Sequence, residues 1–365
     1  MKDSTGIFYA KYSHGLQFGS STSGKMYEAL KNNILNNDIL NNDIKVLGIN
    51  VDDLKKWTVL NIGTGREAVV FSSLGAKMVE HYDLSEQHVK QTMDYAEKMN
   101  FVNLKSFQTD VVMETLPVEM YELVYANGVV HHFSDPVKGI VNLVNSLKNK
   151  GYMYLCFYRS GTFKWFVNEM IRSLISYKFI DDYYRTLDLR YGFFNGETNN
   201  LILTIMDEFF VPNVYLYSPT QYIDFLKKLG CTMYSSSRLE PIGEIVHDKA
   251  YHSCVLCFQK QSNRKIQADE VRNSSFVPKN QLKDLKYTGL AHKNVDLFWK
   301  IYDIKDKIPY ETLKEITLKM HQFAGPQHYL YNDNTKVINN GDTKFNQDNN
   351  QELYNLFCYI LEEFN

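Results

Sequence analysis

The residues best suited to bind a ligand are Gly63, Thr64 and Gly65, which stand between a short apolar segment and a helical pattern. Glycines let a ligand approach the backbone, and the following helix offers free N–H groups to a carboxylate or phosphate. Asp83 comes 20 residues after Gly63, at the end of the next apolar segment. A carboxylate there can accept both hydroxyls of an adenosine ribose. The spacing favours a nucleotide-like cofactor, although an ordinary strand–helix turn would use the same glycines.

Two cofactor classes fit this first motif. The run GTGREA matches the Gly-x-Gly-x-x-Gly/Ala pattern of dinucleotide enzymes. It also resembles the first motif of class I S-adenosylmethionine-dependent methyltransferases. Two later segments favour the methyltransferases. Phe107–Asp110 stands where that family has its adenine-contacting Asp, and Tyr121–Phe133 resembles its fourth motif, with an early acidic residue, a later Asn, an apolar pair and His-His. The resemblance is clear over residues 56–160 and extends by pattern over residues 218–260.

The resemblance implies S-adenosylmethionine as the cofactor and a Rossmann-like methyltransferase fold. The cofactor contacts that we predict are Asn61, Gly63, Thr64, Gly65, Asp83, Leu84, Asp110, Val111 and Asn127. Two positions depart from the family pattern. Asn61 replaces the usual acidic residue of the first motif, and Glu67 replaces its third glycine. The amide oxygen of Asn61 can still accept a hydrogen bond from an ammonium group, but without a charge.

A general base is needed only if the methyl acceptor must lose a proton. His131 and His132 follow Asn127 in a predicted loop, and a neutral imidazole suits that task near neutral pH. We predict His131 as the catalytic base, because Val130 is expected to pack inward and the loop must then turn. One ring packed inward and one in the loop would be the structural alternative. No third ligand accompanies the pair at a suitable spacing, so no metal site is predicted.

The elements that must position these residues alternate between strand and helix from Trp57 to Tyr158. Strands are predicted at 57–63, 77–85, 102–110, 121–128 and 152–158, and helices at 67–74, 86–99 and 137–148, with Gly151 after the last. Such alternation predicts a parallel sheet with helices on both faces. A capping box at 218–221 begins a further helix, and 231–239 and 250–260 are predicted as the last two strands. Cys254 and Cys257 would then face opposite sides of a strand, which favours core thiols over zinc ligands.

The predicted fold is α/β, with a doubly wound, mostly parallel seven-stranded sheet. We expect a helical N-terminal cap over residues 1–55 and a methyltransferase domain over 56–260. That domain contains an aromatic helical insertion at 159–217, and a linker and C-terminal helical extension follow at 261–365. An insertion after the fifth strand lies at the carboxyl edge of the sheet, where ligands bind.

The N-terminal cap contains a predicted helix from Met26 to Leu40 and a near match to a phosphate-binding loop at 19–26. Met26 replaces the hydroxyl that would hold Mg²⁺, so nucleotide hydrolysis is not expected. As part of a methyltransferase, this segment could fold over the cofactor and bring in the rings of Tyr9, Tyr12 and Phe18.

The composition narrows the partners of the 365-residue chain. Its net charge is −2 and its pI about 6.6, which argues against nucleic acid held by charge alone as the substrate. Five cysteines make no disulfide framework, and no apolar run of about 18 residues predicts a membrane span. We therefore expect a cytoplasmic enzyme, with a homo-oligomer left open.

The predicted function is transfer of a methyl group from S-adenosylmethionine to an O, N or C atom of a small-molecule acceptor. The 14% of aromatic residues and the aromatic insertion favour a compact, partly apolar acceptor. Three alternatives remain: an RNA or protein/peptide methyltransferase, an NAD-dependent oxidoreductase, and an inactive methyltransferase-like binding module.

Overall fold

The computed structural model describes residues 4–12, 43–191, 198–237, 239, 253–272, 276–287, 289–324 and 343–364. The helix predicted from Met26 to Leu40, the segment 19–26 and Phe18 lie outside these residues.

Seven strands form one sheet in the order β3-β2-β1-β4-β5-β7-β6. The strands are β1 Thr58–Ile62, β2 Met78–Asp83, β3 Leu104–Gln108, β4 Tyr121–Asn127, β5 Leu147–Tyr158, β6 Cys231–Ser237 and β7 Ser253–Lys260. Strands β1 to β5 pair in parallel, and β7 runs antiparallel to both β5 and β6. The predicted doubly wound, mostly parallel sheet is confirmed. The chain order reverses between β1 and β4, which opens a crevice at their carboxyl ends.

Twelve helices among the described residues surround the sheet or extend beyond it. They are α1 Ser4–Lys11, α2 Arg66–Ser73, α3 Glu86–Lys98, α4 Pro136–Ser146, α5 Phe163–Leu174, α6 Ile180–Tyr191, α7 Thr198–Phe210, α8 Pro219–Lys228, α9 Ala268–Val271, α10 Gly289–Ile304, α11 Tyr310–Ala324 and α12 Thr343–Phe364. A short helical turn covers Lys45–Leu47, and 3-10 turns cover Val51–Lys56, Val130–His132, Tyr177–Phe179 and Lys305–Lys307. None of these described helices is both long and apolar enough to span a bilayer.

The helix starts follow the cap residues seen in the sequence. The side chain of Ser85 accepts the N–H of His88 at the start of α3, and Asp135 accepts that of Lys138 at the start of α4. Ser218 and Gln221 form the reciprocal capping box of α8. Each cap satisfies N–H groups that lack an intrahelical partner, so these boundaries are set locally.

The start of β5 differs from the prediction. Helix α4 ends at Ser146, and β5 begins at once with Leu147, whereas the sequence pattern predicted a helix to residue 148. Gly151 lies inside β5, where a Cβ would come 2.9 Å from the carbonyl oxygen of Lys148 and 3.1 Å from that of Tyr121. The register of β4 and β5 shifts at this place. Gly151 therefore serves a strand irregularity and not a helix end.

The described buried apolar residues form three clusters. Two lie on the two faces of the sheet, and Cys254 and Cys257 belong to different ones. The third contains only helices and loops. It joins Phe8 of α1 and Met206 of α7 to Phe298 of α10 and Phe357 of α12. The N-terminal helix, the insertion after β5 and the C-terminal helices thus share one hydrophobic core beside the sheet.

Candidate active site

A cleft with a volume of about 250 Å³ opens at the carboxyl ends of β1, β2 and β4. Seven of the nine predicted cofactor residues line it: Gly63, Thr64, Asp83, Leu84, Asp110, Val111 and Asn127. The other described residues of the lining are Thr5, Tyr9, Ile62, Tyr82, His88, Thr109, Val112, Gly128, Val129, His132, Phe133, Ser134, Tyr158 and Asp207. This described lining contains no lysine or arginine. Its charged side chains are the three aspartates.

The two glycines of the first motif have different reasons to be glycine. Gly63 lines the cleft with a φ of +125°, and a Cβ there would come 2.9 Å from Val129 Cγ1. Gly65 lies behind the lining with a φ of +86°, and its Cβ would come 1.9 Å from Thr92 Oγ1. Position 65 must therefore be glycine for packing against α3, independently of any ligand.

His81 holds the glycine turn in place, and the sequence analysis did not identify it. Its Nε2 donates to the carbonyl oxygen of Gly63 at 2.5 Å, and its Nδ1 lies 2.7 Å from Ser106 Oγ. Burial lowers the pKa of His81, so the ring is neutral near pH 7. In the sequence, the feature that could have indicated this role is a polar histidine inside a strand predicted to be buried.

Asp83 and Asp110 each keep one carboxylate oxygen for a ligand. Oδ1 of Asp83 accepts the N–H of Ser85 at 2.6 Å and lies 3.1 Å from Nδ1 of His88. Oδ1 of Asp110 accepts the N–H groups of Val112 and Met113 at 2.9 and 3.2 Å. The structure assigns neither Oδ2 a hydrogen bond from a described residue. Both carboxylates are oriented through one oxygen while the other remains able to accept.

Asn61 lies outside the lining, although it was predicted as a cofactor contact. Its side chain is fully buried, and its Nδ2 donates to the carbonyl oxygen of Tyr125 at 3.4 Å. Asn127 does line the cleft, and its Nδ2 donates to Oε1 of Glu67 at 3.4 Å. The buried Glu67, itself part of the first motif, therefore places a carboxylate behind the end of β4, while Asn61 stands where that motif usually has its acidic residue.

His131, the predicted base, does not reach the cleft. It is fully buried, its Nδ1 accepts the N–H of Tyr158 at 3.2 Å, and its ring centre lies 3.8 Å from that of Tyr158. His132 lines the cleft instead. The two residues share one 3-10 turn, and its geometry decides which ring faces the ligand. The role of His131 as the base stays a prediction. Because only the His132 ring lines the cleft, the geometry favours His132 for that role.

The tautomer of His132 follows from its contacts. Its Nδ1 lies 2.7 Å from the carbonyl oxygen of Asn213, which can only accept, so Nδ1 carries the proton. Burial lowers the pKa of His132, and Arg172 adds to this effect, while Asp207 and the Asn213 carbonyl oppose it. The ring is therefore neutral near pH 7, with an unprotonated Nε2 that lies 3.7 Å from Oδ2 of Asp207.

Asp207 comes from α7 in the insertion and was not identified in the sequence. It is only 3% exposed and accepts a hydrogen bond of 2.5 Å from the hydroxyl of Tyr9. Burial raises the pKa of Tyr9 well above its ordinary value, so the phenol keeps its proton and donates. The hydroxyl of Tyr158 lies 3.5 Å from Oδ2 of Asp207. Two acidic residues in an otherwise apolar helix were the available sequence signal.

Glu208, the next residue on α7, faces away from the cleft. It pairs with Lys164 of α5 and with Nε2 of His321 of α11, the latter at 3.1 Å, and accepts from Asn168. Burial by itself would raise the pKa of Glu208, but Lys164 and His321 hold it below its ordinary value. Helix α7 thus directs Asp207 to the cleft on one side and Glu208 to the C-terminal helix α11 on the other.

Helix α1 covers the acceptor side of the cleft. Besides Tyr9, it brings Thr5, whose hydroxyl accepts a 3.0 Å hydrogen bond from Nδ2 of Asn213. Tyr12 is buried in the helical core against Phe8 and Tyr184, and its hydroxyl donates to Asp181 on α6. Of the three rings predicted to cover the cofactor, Tyr9 lines the cleft, Tyr12 does not, and Phe18 is not described.

One protein-family model matches part of the chain. Residues 60–155 match the family model described as a methyltransferase domain. The matched segment includes β2 to β4 and most of β1 and β5, and it contains all the lining residues from Ile62 to Ser134. The chain therefore contains a methyltransferase domain, which supports an enzyme, and its seven-stranded, mostly parallel sheet is the fold expected from the resemblance to class I S-adenosylmethionine-dependent methyltransferases.

Two solved structures illustrate the likeness. The YcgJ protein from Bacillus subtilis is 13% identical with a TM-score of 0.41, and the match covers 60% of this chain and 99% of that chain. A SAM-dependent methyltransferase from Aquifex aeolicus is also 13% identical, with a TM-score of 0.33 and coverage of 61% and 95%. The search of curated proteins gave no significant match.

Proposed function

We propose that the protein transfers the methyl group of S-adenosylmethionine to an O, N or C atom of a small-molecule acceptor. The observation that carries this proposal is the arrangement of Gly63, Asp83 and Asp110 around one cleft, at the carboxyl ends of neighbouring strands. On the acceptor side, Tyr9, His132 and Asp207 complete the same cleft.

The residues present fit this cofactor. Gly63 offers backbone without a side chain, and Oδ2 of Asp83 can accept a ribose hydroxyl. Oδ2 of Asp110 can accept from the adenine amino group. When bound, S-adenosylmethionine supplies a methyl group that its sulfonium charge has already made electrophilic. The protein's own residues then have to bind, align the acceptor and exclude water.

The cleft favours a small acceptor over RNA or a peptide. Helices α1 and α7 contribute Thr5, Tyr9 and Asp207 to its lining, which encloses the space beyond the glycine turn. RNA-binding sites neutralise phosphates with lysine or arginine, and the described lining has neither. Three aspartates would instead repel a polyanion.

Calorimetry with S-adenosylhomocysteine and with NAD tests the proposal. We expect S-adenosylhomocysteine to bind with one site per chain and NAD to show no binding. Binding of NAD alone would favour the oxidoreductase. Binding of S-adenosylhomocysteine, together with no methyl transfer to any acceptor in a broad metabolite extract containing labelled S-adenosylmethionine, would favour the inactive binding module.

A further inference from the structure

Two hydrogen-bond acceptors face each other on the acceptor side of the cleft. One is Oδ2 of Asp207, and the other is the unprotonated Nε2 of His132, 3.7 Å away. The proton of this imidazole is fixed on Nδ1 by the Asn213 carbonyl oxygen. Neither atom can donate to the other, and Asp207 and His132 are only 3% and 7% exposed. Oδ2 already accepts a long hydrogen bond of 3.5 Å from the hydroxyl of Tyr158, but a carboxylate oxygen can accept a second. A partner that donates at least two hydrogens could then bond to both Oδ2 and Nε2.

The surroundings of this pair suit a cation. The rings of Tyr9 and Tyr158 lie beside it, with centres 6.0 and 5.8 Å from that of His132. Aromatic rings next to a buried carboxylate attract an ammonium group through both charge and ring faces. No described lysine or arginine lies within 4.0 Å of Asp207 to neutralise it, whereas Glu208 has Lys164 and His321.

We propose that the methyl acceptor is a primary or secondary amine, whose protonated nitrogen lies between Asp207 and His132 and gives its proton to Nε2 of His132. This inference rests on the proposed methyltransferase function and narrows it to N-methylation. An ammonium nitrogen has N–H groups for both acceptors. A hydroxyl acceptor has one hydrogen, so it can donate to only one of the two atoms; it leaves either Nε2 without a donor or Oδ2 with only the long bond from Tyr158. A carboxylate acceptor has none and would meet the charge of Asp207.

The proton balance is complete within the site. The ammonium nitrogen loses one proton, which becomes the Nε2–H of His132, and keeps an N–H directed to Asp207. Its freed electron pair would form the new C–N bond as the S–CH3 bond of the sulfonium breaks, with S-adenosylhomocysteine as the neutral leaving group. The imidazolium later releases its proton to solvent. Burial lowers the pKa of a bound ammonium, as it does for a buried lysine, whereas the neighbouring charge of Asp207 raises it. Asp207 faces the His132 ring and stabilises the positive charge that the ring gains when it accepts the proton.

Several charged or titratable groups act on His132. Asp207 on α7 favours its protonated form, and Arg172 on α5 disfavours it. Tyr9 on α1 and Tyr158 at the end of β5 both have pKa values raised well above the ordinary value by burial, so they remain neutral. The His131 ring lies 4.1 Å away, centre to centre. Because several groups act on this ring, a fall in activity at low pH can be attributed to His132 only if it disappears in variants of His132.

The test measures binding rather than activity. The protein saturated with S-adenosylhomocysteine is titrated with methylamine, benzylamine and phenethylamine, and with methanol, benzyl alcohol and 2-phenylethanol as matched alcohols. We expect at least one amine to bind roughly tenfold or more tightly than its alcohol, about 1.4 kcal/mol. Asp207→Asn should remove most of that difference, while S-adenosylhomocysteine affinity stays within about twofold. Asp224→Asn, at an exposed position on α8, is the matched control.

The inference is wrong if every amine binds no more tightly than its alcohol, or if a folded Asp207→Asn variant keeps the full preference. If Asp207→Asn also loses S-adenosylhomocysteine binding, the His132→Gln variant is the deciding test. This variant should still bind the amine, but its amine affinity should no longer depend on pH. Failure of the unmodified protein to bind S-adenosylhomocysteine would instead count against the proposed function, before any amine is added.

Discussion

The hydroxyl of Tyr9 donates a 2.5 Å hydrogen bond to Asp207, which lies 198 residues further along the chain. One partner belongs to the N-terminal helix that covers the cleft, and the other to the insertion after β5. The contact therefore links helix α1 to helix α7 across the cleft, and it gives the Asp207 side chain a fixed orientation.

Tyr9→Phe should loosen this cover while keeping the ring. Loss of a hydrogen bond to a buried carboxylate costs roughly 1–2 kcal/mol, so dissociation of S-adenosylhomocysteine should become about 5- to 30-fold faster. Stopped-flow fluorescence can measure the rate. Tyr12→Phe is the control, because its hydroxyl bonds to Asp181 outside the cleft. Equal dissociation rates in the two variants would show that α1 does not retain the ligand.

Asp83→Ala should weaken cofactor binding. The ribose hydroxyls lose their acceptor, at an expected ~1–3 kcal/mol, or roughly tenfold to a hundredfold in the Kd of S-adenosylhomocysteine. Asp94→Ala on α3 is a suitable comparison, since Asp94 is exposed and pairs only with Lys90 among the described residues. Unchanged calorimetric affinity in a folded Asp83→Ala protein would remove Asp83 from the cofactor site.

Gly65→Ala should destabilise the fold more than Gly48→Ala. Both positions have a positive φ, but a Cβ at Gly65 would lie 1.9 Å from Thr92 Oγ1, and one at Gly48 meets nothing within 4 Å. We expect a loss of about 1–2 kcal/mol from the backbone conformation at Gly48, and a further ~1–3 kcal/mol from the clash at Gly65. Urea unfolding measures both. Similar losses would mean that α3 moves aside without cost.

The two neighbouring histidines should respond differently to replacement by asparagine. His132→Asn should cut turnover by ~10²–10⁴ and remove an acidic limb whose midpoint lies below about 6.5, because burial lowers the pKa of His132. In His131→Asn, the amide oxygen can still accept the N–H of Tyr158, so turnover should change far less. The opposite result, with S-adenosylhomocysteine affinity retained, would return the base role to His131.

Glu169 should make stability depend on pH. Burial raises the pKa of Glu169 to about 7, above the ~4.3 of an unfolded glutamate. Its stabilising effect is complete below the unfolded value and is lost as pH rises through 7. Glu169→Gln, which keeps an acceptor for the N–H of Gln281, should therefore gain on the order of 1–3 kcal/mol relative to the parent between pH 4.5 and pH 8. An equal difference at both pH values would contradict this.

The parts of the fold predicted from the sequence are those set by nearby residues. The end of β1, Asp83 after β2 and the caps at Ser85, Asp135 and Ser218 depend on interactions within a few positions. For the same reason, most of the predicted cofactor residues line one cleft. Asn61 does not, because strand alternation turns its side chain away from the cleft and into the protein.

The acceptor side depends on contacts that the local sequence does not encode. Asp207 acquires its place from Tyr9, His132 and Tyr158, which come from three separate parts of the chain. The choice between His131 and His132 depends on the rotation of one 3-10 turn, which one-residue differences in packing decide. A pattern of apolar residues predicts that such a turn exists, but not which of the two rings it directs into the cleft.

The adjacency of Asp207 and Glu208 also bears on the order in which the molecule is completed during synthesis. All seven strands have left the ribosome once Lys260 has emerged, but His321, a partner of Glu208, has not. Glu208 already has Lys164, but the hydrophobic core that α7 shares with α10 and α12 is still incomplete, so α7 should not settle until the C-terminal helices arrive. We expect a nascent chain halted after β7 to capture the cofactor before it can distinguish one acceptor from another. Selectivity would then be the last property that the growing chain acquires.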